Sequence, residues 1–428
     1  MPCVLVVGSG GREHAILDAL ARSPRQPDLL CAPGNAGTAS LAENLPIAAD
    51  DLDALVDVAL ARAVDLVVIG PEVPLAAGLA DRLADAEIPV VGPTAAAARL
   101  ESSKAFAKAF MARHGVPTAA CRTFTRDAYD DARAYVDAHP LPVVLKADGL
   151  AAGKGVLIAG TRDGAHEGLQ RLLRDSEFGE ASAEVVIEAF IVGEEASVFA
   201  LTDGTDYVLL APAQDHKRIG EGDTGPTTGG MGAYAPAPLV TPVLMKQVEA
   251  EIIQPVLRGM AAEGHPYRGI LYVGLMISSA GPKVVEFNVR FGDPETQVVL
   301  PLLESDLLDH FEALAEGRIA SETVRLRDGA AACVILASAG YPGSYEKGKP
   351  INGLDEAAEH ALVFHAGTKA HGEQVITNGG RVLGLTGLGA DLQEALDHAY
   401  AAAAAIQFEG KTLRRDIGQK GLARLAAP

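Results

Sequence analysis

The sequence predicts an α/β protein with an open parallel sheet at its N-terminal end and a smaller β-rich domain at its C-terminal end. Over the first hundred residues, short apolar runs alternate with helical patterns, as in parallel strands joined by crossover helices. Turn-forming residues follow each run, at Gly8, Pro33, Gly70 and Gly92. Because ligands of open α/β sheets bind at the carboxyl ends of the strands, we expect a site along this edge.

The order of the predicted elements divides the chain into three domains. The first is a Rossmann-like substrate domain, and the second begins with a helix that ends at His114 and becomes mostly antiparallel. The third is β-rich, with a helix near 392–404. We place these domains at 1–101, 102–323 and 324–428, and the second contains a small lid subdomain at about 117–190. We also predict one helix that begins at Pro74 and another over 242–263.

Composition excludes several classes of partner. The formal net charge of -20 repels nucleic-acid phosphates, and aromatic residues, which make up 5% of the chain, are too few for base-stacking platforms. No apolar run approaches the ~20 residues of a membrane-spanning helix. The four cysteines are far apart and form no CxxC pair, which favours reduced thiols. We expect a cytoplasmic monomer without nucleic-acid or membrane partners.

The first chemical motif is the turn from Gly8 to Gly11, which follows a strand and opens a helix. Backbone N–H groups at such a turn can hold an anion. A nicotinamide-dinucleotide site is disfavoured, because Glu13 replaces the third fingerprint glycine and the second strand ends at Ala32 without an acidic residue. A simple tight turn and a phosphate-bearing substrate remain, and we favour the substrate.

The second motif is the glycine-rich loop from Asp148 to Gly155. Lys146 precedes it on a strand and Lys154 lies within it, so two ammonium groups and a close backbone can meet a polyphosphate. The loop is not a Walker motif, because Gly155 and Val156 follow the lysine where Ser or Thr is required. A plain hairpin turn explains the glycines but not the paired lysines.

The third motif, 284–297, begins on a strand that places Glu286 and Asn288 on one face. Their oxygens suit Mg²⁺ (or Mn²⁺), which takes few protein ligands together with phosphate and water. Arg290 continues the same alternation. A solvated edge strand is the alternative, but the apolar surroundings favour a metal site. His14 and His216 are the two histidines within motifs, and each suits a structural hydrogen bond or proton transfer.

These motifs together resemble those of the ATP-grasp superfamily, and within it the glycinamide ribonucleotide synthetase family, along nearly the whole chain. Eight signatures occur in the family's order, which is far more specific than any one of them. They are Gly8–His14, Ala32–Thr38, Gly70–Glu72, Ser103–Phe106, Lys146–Gly155, Gln214–Arg218, Thr224–Tyr234 and Phe287–Gln297.

The resemblance implies ATP-dependent ligation of glycine to 5-phosphoribosylamine through glycyl phosphate, and a role for each matching position. Lys104 and Lys146 would hold phosphates, the loop around Lys154 would cover them, and Arg290 would steady charge at the acyl centre. The implied catalytic residues are Arg290, Lys154 and Asp215; the ATP site is Lys104, Lys146, Gly153, Lys154, Gly155, Glu188, Ala189, Ile191 and Glu195; the substrate site is Gly10, Gly11, Arg12, Glu13, Asn35, Gly37, Thr38, Glu72, Lys217, Arg290 and Asp293; the metal ligands are Glu286 and Asn288.

One position departs from the wider superfamily. Many ATP-grasp enzymes carry a further metal-binding acid about twelve residues before the strand glutamate, where this chain has Gly274. Other functions to be distinguished are a carboxylase that uses bicarbonate, a non-catalytic nucleotide sensor and a dehydrogenase.

Overall fold

The computed structural model describes residues 1–150, 155–175, 177, 179 and 183–426. Its N-terminal part is an open sheet of five parallel strands, as the sequence predicts. The strands are β1 (Cys3–Gly8), β2 (Asp28–Pro33), β3 (Glu43–Asn44), β4 (Leu66–Ile69) and β5 (Val90–Val91), in the order β3-β2-β1-β4-β5; the helices are α1 (Gly11–Ala21), α2 (Leu52–Ala61), α3 (Glu72–Ala76), α4 (Leu79–Asp85) and α5 (Ala95–Ser102).

Two predicted helices of this region, one from Pro74 and one over 102–114, begin at different residues in the structure. The helix expected from Pro74 begins at Glu72 and is interrupted at Gly78, whose φ of +88° is a left-handed conformation that suits glycine. The helix that ends at His114 is α6 (Lys104–His114), and the Oγ of Ser103 caps it by accepting from the Phe106 N–H at 3.0 Å.

The next unit is an antiparallel sheet that contains the glycine-rich loop. Its order is β6-β9-β7-β8, so the loop joins two neighbouring strands, as predicted. The elements are β6 (Cys121–Thr125), α7 (Tyr129–Ala138), β7 (Val143–Ala147), β8 (Val156–Ala159), α8 (Arg162–Leu169) and β9 (Glu184–Ala189). Gly153 and Lys154 lie outside the described residues, and so do the sequence predictions made for them.

A second antiparallel sheet carries the predicted metal ligands. The helix predicted over 242–263 is α9 (Pro242–Val248) and α10 (Gln254–Ala262), joined by a π-helical turn at Glu249–Ile253. The strands are β10 (Glu194–Thr202), β11 (Tyr207–Leu209), β16 (Gly269–Ser278) and β17 (Gly281–Asn288), in the order β11-β10-β16-β17; α11 (Thr296–Val299) and α12 (Leu307–Ala315) follow.

The third large sheet joins both sides of position 324. Its order is β12-β15-β18-β23-β20, with β24 also paired to β18. These strands are β12 (Gln214–Asp215), β15 (Gly232–Ala235), β18 (Ala330–Ser338), β20 (Leu362–His365), β23 (Arg381–Gly389) and β24 (Lys411–Thr412); smaller sheets contain β13 (Arg218–Gly220) with β14 (Thr224–Thr227), and β19 (Pro350–Ile351), β21 (Thr368–His371) and β22 (Gln374–Thr377); the helices are α13 (Leu354–Ala358), α14 (Leu392–Ala405) and α15 (Gln419–Leu425).

Apolar cores connect these units. Val6 of β1 packs with Leu17 of α1 and Phe311 of α12, whereas Leu5 faces the opposite core, which includes Leu83. This division follows from the two-residue alternation of a strand covered on both faces. All four cysteines are free, as predicted. A search of the described residues finds no helix with the length and hydropathy needed to cross a membrane.

Candidate active site

A buried carboxylate holds two lysines at the predicted ATP site. The Nζ of Lys146 on β7 lies 3.1 Å from Oε2 of Glu188, and the Nζ of Lys108 on α6 lies 3.1 Å from Oε1. Lys146 also donates to the carbonyl of Val285 at 3.1 Å. Burial favours the neutral amine and lowers the pKa of Lys108. Two ammonium groups against one carboxylate leave a net positive charge, which suits a polyphosphate.

Lys104 lies where the glycine-rich loop leaves β7. Its Nζ donates to the carbonyl of Gly149 at 2.9 Å, and burial lowers its pKa while the nearby Glu286 opposes that shift. At the other side of the loop, the carbonyl of Gly155 accepts from the Ala147 N–H at 2.8 Å. The predicted phosphate residues Lys104 and Lys146 therefore lie at the base of one loop.

The segment after β9, which belongs to the predicted ATP site, is partly apolar and exposed. Ala189 and Ile191 are half-buried, while Phe190 is 38% exposed and Val192 is 79% exposed. Exposed apolar side chains beside these charged residues can pack against the flat face of a nucleotide base. Glu188 itself has both carboxylate oxygens engaged by lysines, so its contribution is to fix Lys146 and Lys108.

A second charged cluster lies at the start of β10. The Nζ of Lys217 lies 2.8 Å from Oε2 of Glu195 and 2.9 Å from Oδ1 of Asp215. Burial raises the pKa of Asp215, and the Lys217 ammonium opposes this. A small cavity lined by Glu195, Lys217 and Glu286 connects this cluster with β17.

The predicted metal ligands fit a hard cation in their chemistry. Glu286 and Asn288 lie two residues apart on β17, and no cation among the described residues lies within ion-pair distance of Glu286. Gly274 pairs directly with Glu286, and a Cβ at Gly274 would lie 3.1 Å from the Glu286 Cγ. The described residues contain no group of three or more His, Cys, Asp or Glu arranged for a metal.

Glu13 explains why the first turn lacks its third fingerprint glycine. Its Oε2 accepts from the Gly10 N–H at 2.5 Å and its Oε1 accepts from the Arg12 Nε at 2.5 Å. A Cβ at Gly70 would lie 2.1 Å from Oε1, so glycine there makes room for this carboxylate. The Arg12 N–H reaches Oδ2 of Asp293 at 3.3 Å. Two carboxylates of the protein therefore already bind the start of α1.

Asn35 joins three parts of the chain. Its amide group donates to the carbonyls of Ser9 at 2.9 Å and His365 at 2.8 Å, and its oxygen accepts from the N–H groups of Gly37 and Thr38. An asparagine side chain has two donor hydrogens and two acceptor lone pairs, so its capacity is filled. Asn35 thus orients the substrate loops and ties them to β20.

Arg290 points toward the N-terminal domain. Strand β17 ends at Asn288, so the strand alternation used in the sequence argument does not extend to Arg290. Its Nη2 lies 2.8 Å from Oε1 of Glu101 and its Nε lies 3.2 Å from Oε2 of Glu72. Burial raises the pKa of Glu101 to about 7, against the lowering effect of Arg290. Arg290 and Glu72, both predicted substrate residues, are therefore brought together.

The two motif histidines differ in their surroundings. The Nδ1 of His14 accepts from the backbone N–H of His365 at 2.8 Å, which is the structural hydrogen bond considered from the sequence. His216 is buried, and its two ring nitrogens have no hydrogen-bond partner in the described part of the chain. Burial lowers the pKa of His14 to about 3 and that of His216 to about 4, so both are neutral near pH 7.

The sequence reasoning missed three charged residues of this region. Lys108 follows Lys104 by one helical turn, a spacing that could have indicated it. Glu101 and Arg381 carry no local signal, because their partners are distant in sequence. The Nη1 of Arg381 lies 3.3 Å from Oδ1 of Asp293, so the C-terminal region reaches a predicted substrate residue.

Comparison with known families accounts for this arrangement. Models of phosphoribosylglycinamide synthetase match the chain in three consecutive parts: the N domain at residues 3–101, the ATP-grasp (A) domain at 102–296 and the C domain at 331–420. The chain belongs to the phosphoribosylglycinamide synthetase family. An ATP-grasp domain binds ATP, usually with a divalent cation. The predictions of the superfamily and of an ATP-dependent ligase family are confirmed.

Individual proteins agree with the family. Phosphoribosylamine–glycine ligase of Chlorobaculum tepidum is 54% identical over 426 residues, which cover 98% of this chain and 100% of that protein. The crystal structure of the ligase of that name from Thermotoga maritima is 37% identical, with a TM-score of 0.85 over 97% of this chain and 100% of the other. Biotin carboxylase from Campylobacter jejuni shares the fold at 14% identity, with a TM-score of 0.71 over 96% and 92%.

Proposed function

We propose that this protein joins glycine to 5-phosphoribosylamine in an ATP-dependent reaction, giving glycinamide ribonucleotide, ADP and phosphate in purine synthesis. The observation that carries the proposal is the match of all three synthetase domains, in order, along one chain. The 54% identical relative bears the name of this ligase. Two solved structures whose names mention bicarbonate are 16–17% identical to this chain, a likeness that supports the fold and no particular substrate.

The lysines of the lid and of α6 would position ATP. Phosphoryl transfer depends mainly on positioning and charge neutralisation. We assign phosphate contacts to Lys104, Lys146 and the loop with Gly153, Lys154 and Gly155. We assign the adenine to the segment that includes Ala189 and Ile191, and the ribose hydroxyls to Glu195.

Glu286 and Asn288 are proposed to hold the divalent cation, Mg²⁺ or Mn²⁺. The carboxylate of Glu286 has no cationic partner among the described residues, which leaves it available to a hard ion. When bound, the cation neutralises charge on the phosphates. Because Gly274 offers no second carboxylate, ATP oxygens and water would complete the coordination.

The glycine carboxylate would attack the γ-phosphorus of ATP to give glycyl phosphate, and the amine would then displace phosphate. Arg290 would steady charge at the acyl carbon, while Asp215 and Lys217 would face the reacting groups. The ribose phosphate would lie along the carboxyl edge of the N-terminal sheet, beside Gly10, Gly11, Arg12, Gly37, Thr38 and Glu72. Glu13, Asn35 and Asp293 would position the loops of this site, because their side chains already bind other parts of the chain. We further propose that the protein is a monomer with these small molecules as its partners.

The direct test supplies freshly made phosphoribosylamine, ATP and Mg²⁺ with glycine, alanine or bicarbonate. Equal amounts of ADP and glycinamide ribonucleotide with glycine would support the proposal. A requirement for bicarbonate without incorporation of glycine would transfer the assignment to a carboxylase. Alanine should react slowly, because exclusion of one methyl group is limited to about 1–3 kcal/mol.

A further inference from the structure

Residues of the C-terminal domain hold the Gly/Thr-rich segment 218–230 from outside the predicted active site. The segment follows Lys217, forms the β13–β14 hairpin and leads to β15. Its tip, 221–226, is exposed. Two arginines from the C-terminal domain bind its backbone, one near each end.

Arg414 binds the first end. This side chain is 1% exposed, and its Nη1 donates to the Arg218 carbonyl at 3.0 Å and to Oδ1 of Asp223 at 2.9 Å. Its Nε and Nη2 donate to the carboxylate of Asp416 at 2.8 and 2.7 Å. The same carboxylate accepts from the Gly222 N–H at 2.8 Å. A buried guanidinium is tolerated only with such complete pairing, so this contact is a defined clamp on the hairpin.

The hairpin tip needs this support because its backbone is unfavourable. Gly222 has a φ of +65° and Asp223 a φ of +57°, a left-handed conformation that is uncommon for a residue with a side chain. Asp223 is held by Arg414 and by Lys420. Two cations of segment 414–420 therefore bind the Asp223 carboxylate, and the Asp416 carboxylate of the same segment accepts from the Gly222 N–H. Together these contacts select this conformation.

Arg381 binds the second end. Its Nη1 donates to the carbonyls of Gly229 at 2.7 Å and Asp293 at 2.6 Å, and the hydroxyl of Tyr341 accepts from the Gly229 N–H at 3.0 Å. Segment 218–230 lies between the two arginines. The residue just before it, Lys217, forms ion pairs with both Asp215 and Glu195.

We propose that Arg414 and Arg381 are positioning residues that hold segment 218–230 over the active site and so keep water from the acyl phosphate. The inference rests on the proposed function. Without the clamp, water would replace the amine as nucleophile, and glycine and phosphate would be released with no amide bond formed. ATP would then be consumed without product, because exclusion of water depends on a covering segment in its closed position.

The test uses Arg414→Met and Asp223→Asn in the full chain. The asparagine keeps the preference for positive φ but removes the charge that Arg414 binds. Arg318→Met is the control, since the ion pairs that this arginine forms with described residues, Glu316 and Glu322, lie at the surface. Arg381 is left intact because it also contacts Asp293. The measured quantities are ADP formed per amide and hydrogen exchange of segment 218–230.

We expect about one ADP per amide for wild type and Arg318→Met, and at least twofold more ADP per amide for Asp223→Asn and Arg414→Met. The rate of hydrogen exchange in segment 218–230 should rise at least tenfold in both variants. Thermal unfolding should show that Asp223→Asn remains folded. A ratio of one with unchanged exchange in Asp223→Asn would overturn the inference. Failure of wild type to form the amide would refute the proposed function instead, and the exchange measurement would still decide whether the clamp exists.

Discussion

The Nζ of Lys146 lies 3.1 Å from Oε2 of Glu188, and Lys108 binds the other oxygen of the same carboxylate at the same distance. These two ion pairs connect β7 with α6 through the buried carboxylate of Glu188. Glu188 therefore fixes Lys146 in a position set by two elements, and the lysine is prepared for a polyphosphate before ATP binds.

We predict that Lys146→Ala weakens ATP binding at least tenfold, which corresponds to about 1.4 kcal/mol. Lys108 would still pair with Glu188, so the variant should fold. Titration calorimetry with ATP provides the measurement. The control is Lys349→Ala, which among the described residues removes ion pairs with the exposed Glu346 and Glu409. An unchanged dissociation constant for Lys146→Ala would place the nucleotide elsewhere.

Glu286→Gln should raise the Mg²⁺ concentration needed for half-maximal activity at least tenfold. The substitution removes a charge and preserves shape, and because Glu286 forms no ion pair with a described residue, the free energy of unfolding should change by less than about 0.5 kcal/mol. The experiment is a Mg²⁺ titration of the rate beside a denaturant titration. Identical Mg²⁺ curves for variant and wild type would exclude this carboxylate as a ligand.

Arg290→Met should destabilise the protein by about 1–3 kcal/mol, because it leaves Glu101 and Glu72 without their cation. Glu101 avoids part of the cost by taking up a proton, since its pKa is already about 7. The double variant Arg290→Met, Glu101→Gln should recover part of this loss. Both should be nearly inactive if Arg290 also acts at the acyl carbon. Urea unfolding measures the stability, and a loss below 1 kcal/mol in the single variant would contradict the buried pairing.

The stability of the protein should fall on acidification partly through His216. The unfolded chain takes up this proton near pH 6.5, but burial, aided by the charge of Arg414, lowers the pKa in the folded state to about 4. The unfolded state binds more protons between these values, so stability is lost as pH falls. Between pH 6.5 and pH 5, His216 lowers the free energy of unfolding by about 1.5 kcal/mol.

His216→Leu should remove this part of the loss in unfolding free energy on acidification. His371→Leu, at an exposed position, should leave it unchanged. Urea unfolding at pH 6.5 and pH 5 gives the comparison. Equal losses for wild type and His216→Leu would show that the histidine does not remain neutral in the folded protein.

Local patterns were sufficient for the parallel sheet, the hairpin around the glycine-rich loop and the antiparallel strands that carry Glu286. They could not show that β15 pairs with β18, because that contact joins residues about a hundred positions apart. The motif residues were recognisable, but their partners were not. Glu101 for Arg290 and His365 for Asn35 come from distant elements and follow no spacing rule.

The break at Gly78 was also missed, because the helical pattern continues on both sides of a glycine that the chain uses in a left-handed conformation. The sequence prediction placed Asn35 in the substrate site, whereas the fold fills its hydrogen-bonding capacity. Whether a polar side chain is free for a ligand depends on such long-range contacts.

Activation of glycine as an acyl phosphate in this site can be followed with glycine labelled with ¹⁸O in its carboxylate. In a reaction with ATP, Mg²⁺ and phosphoribosylamine, the carboxylate oxygen that attacks the γ-phosphorus leaves with the phosphate. We expect one ¹⁸O atom in each inorganic phosphate released with the amide, measured by mass spectrometry. Amide formation with unlabelled phosphate would contradict this expectation.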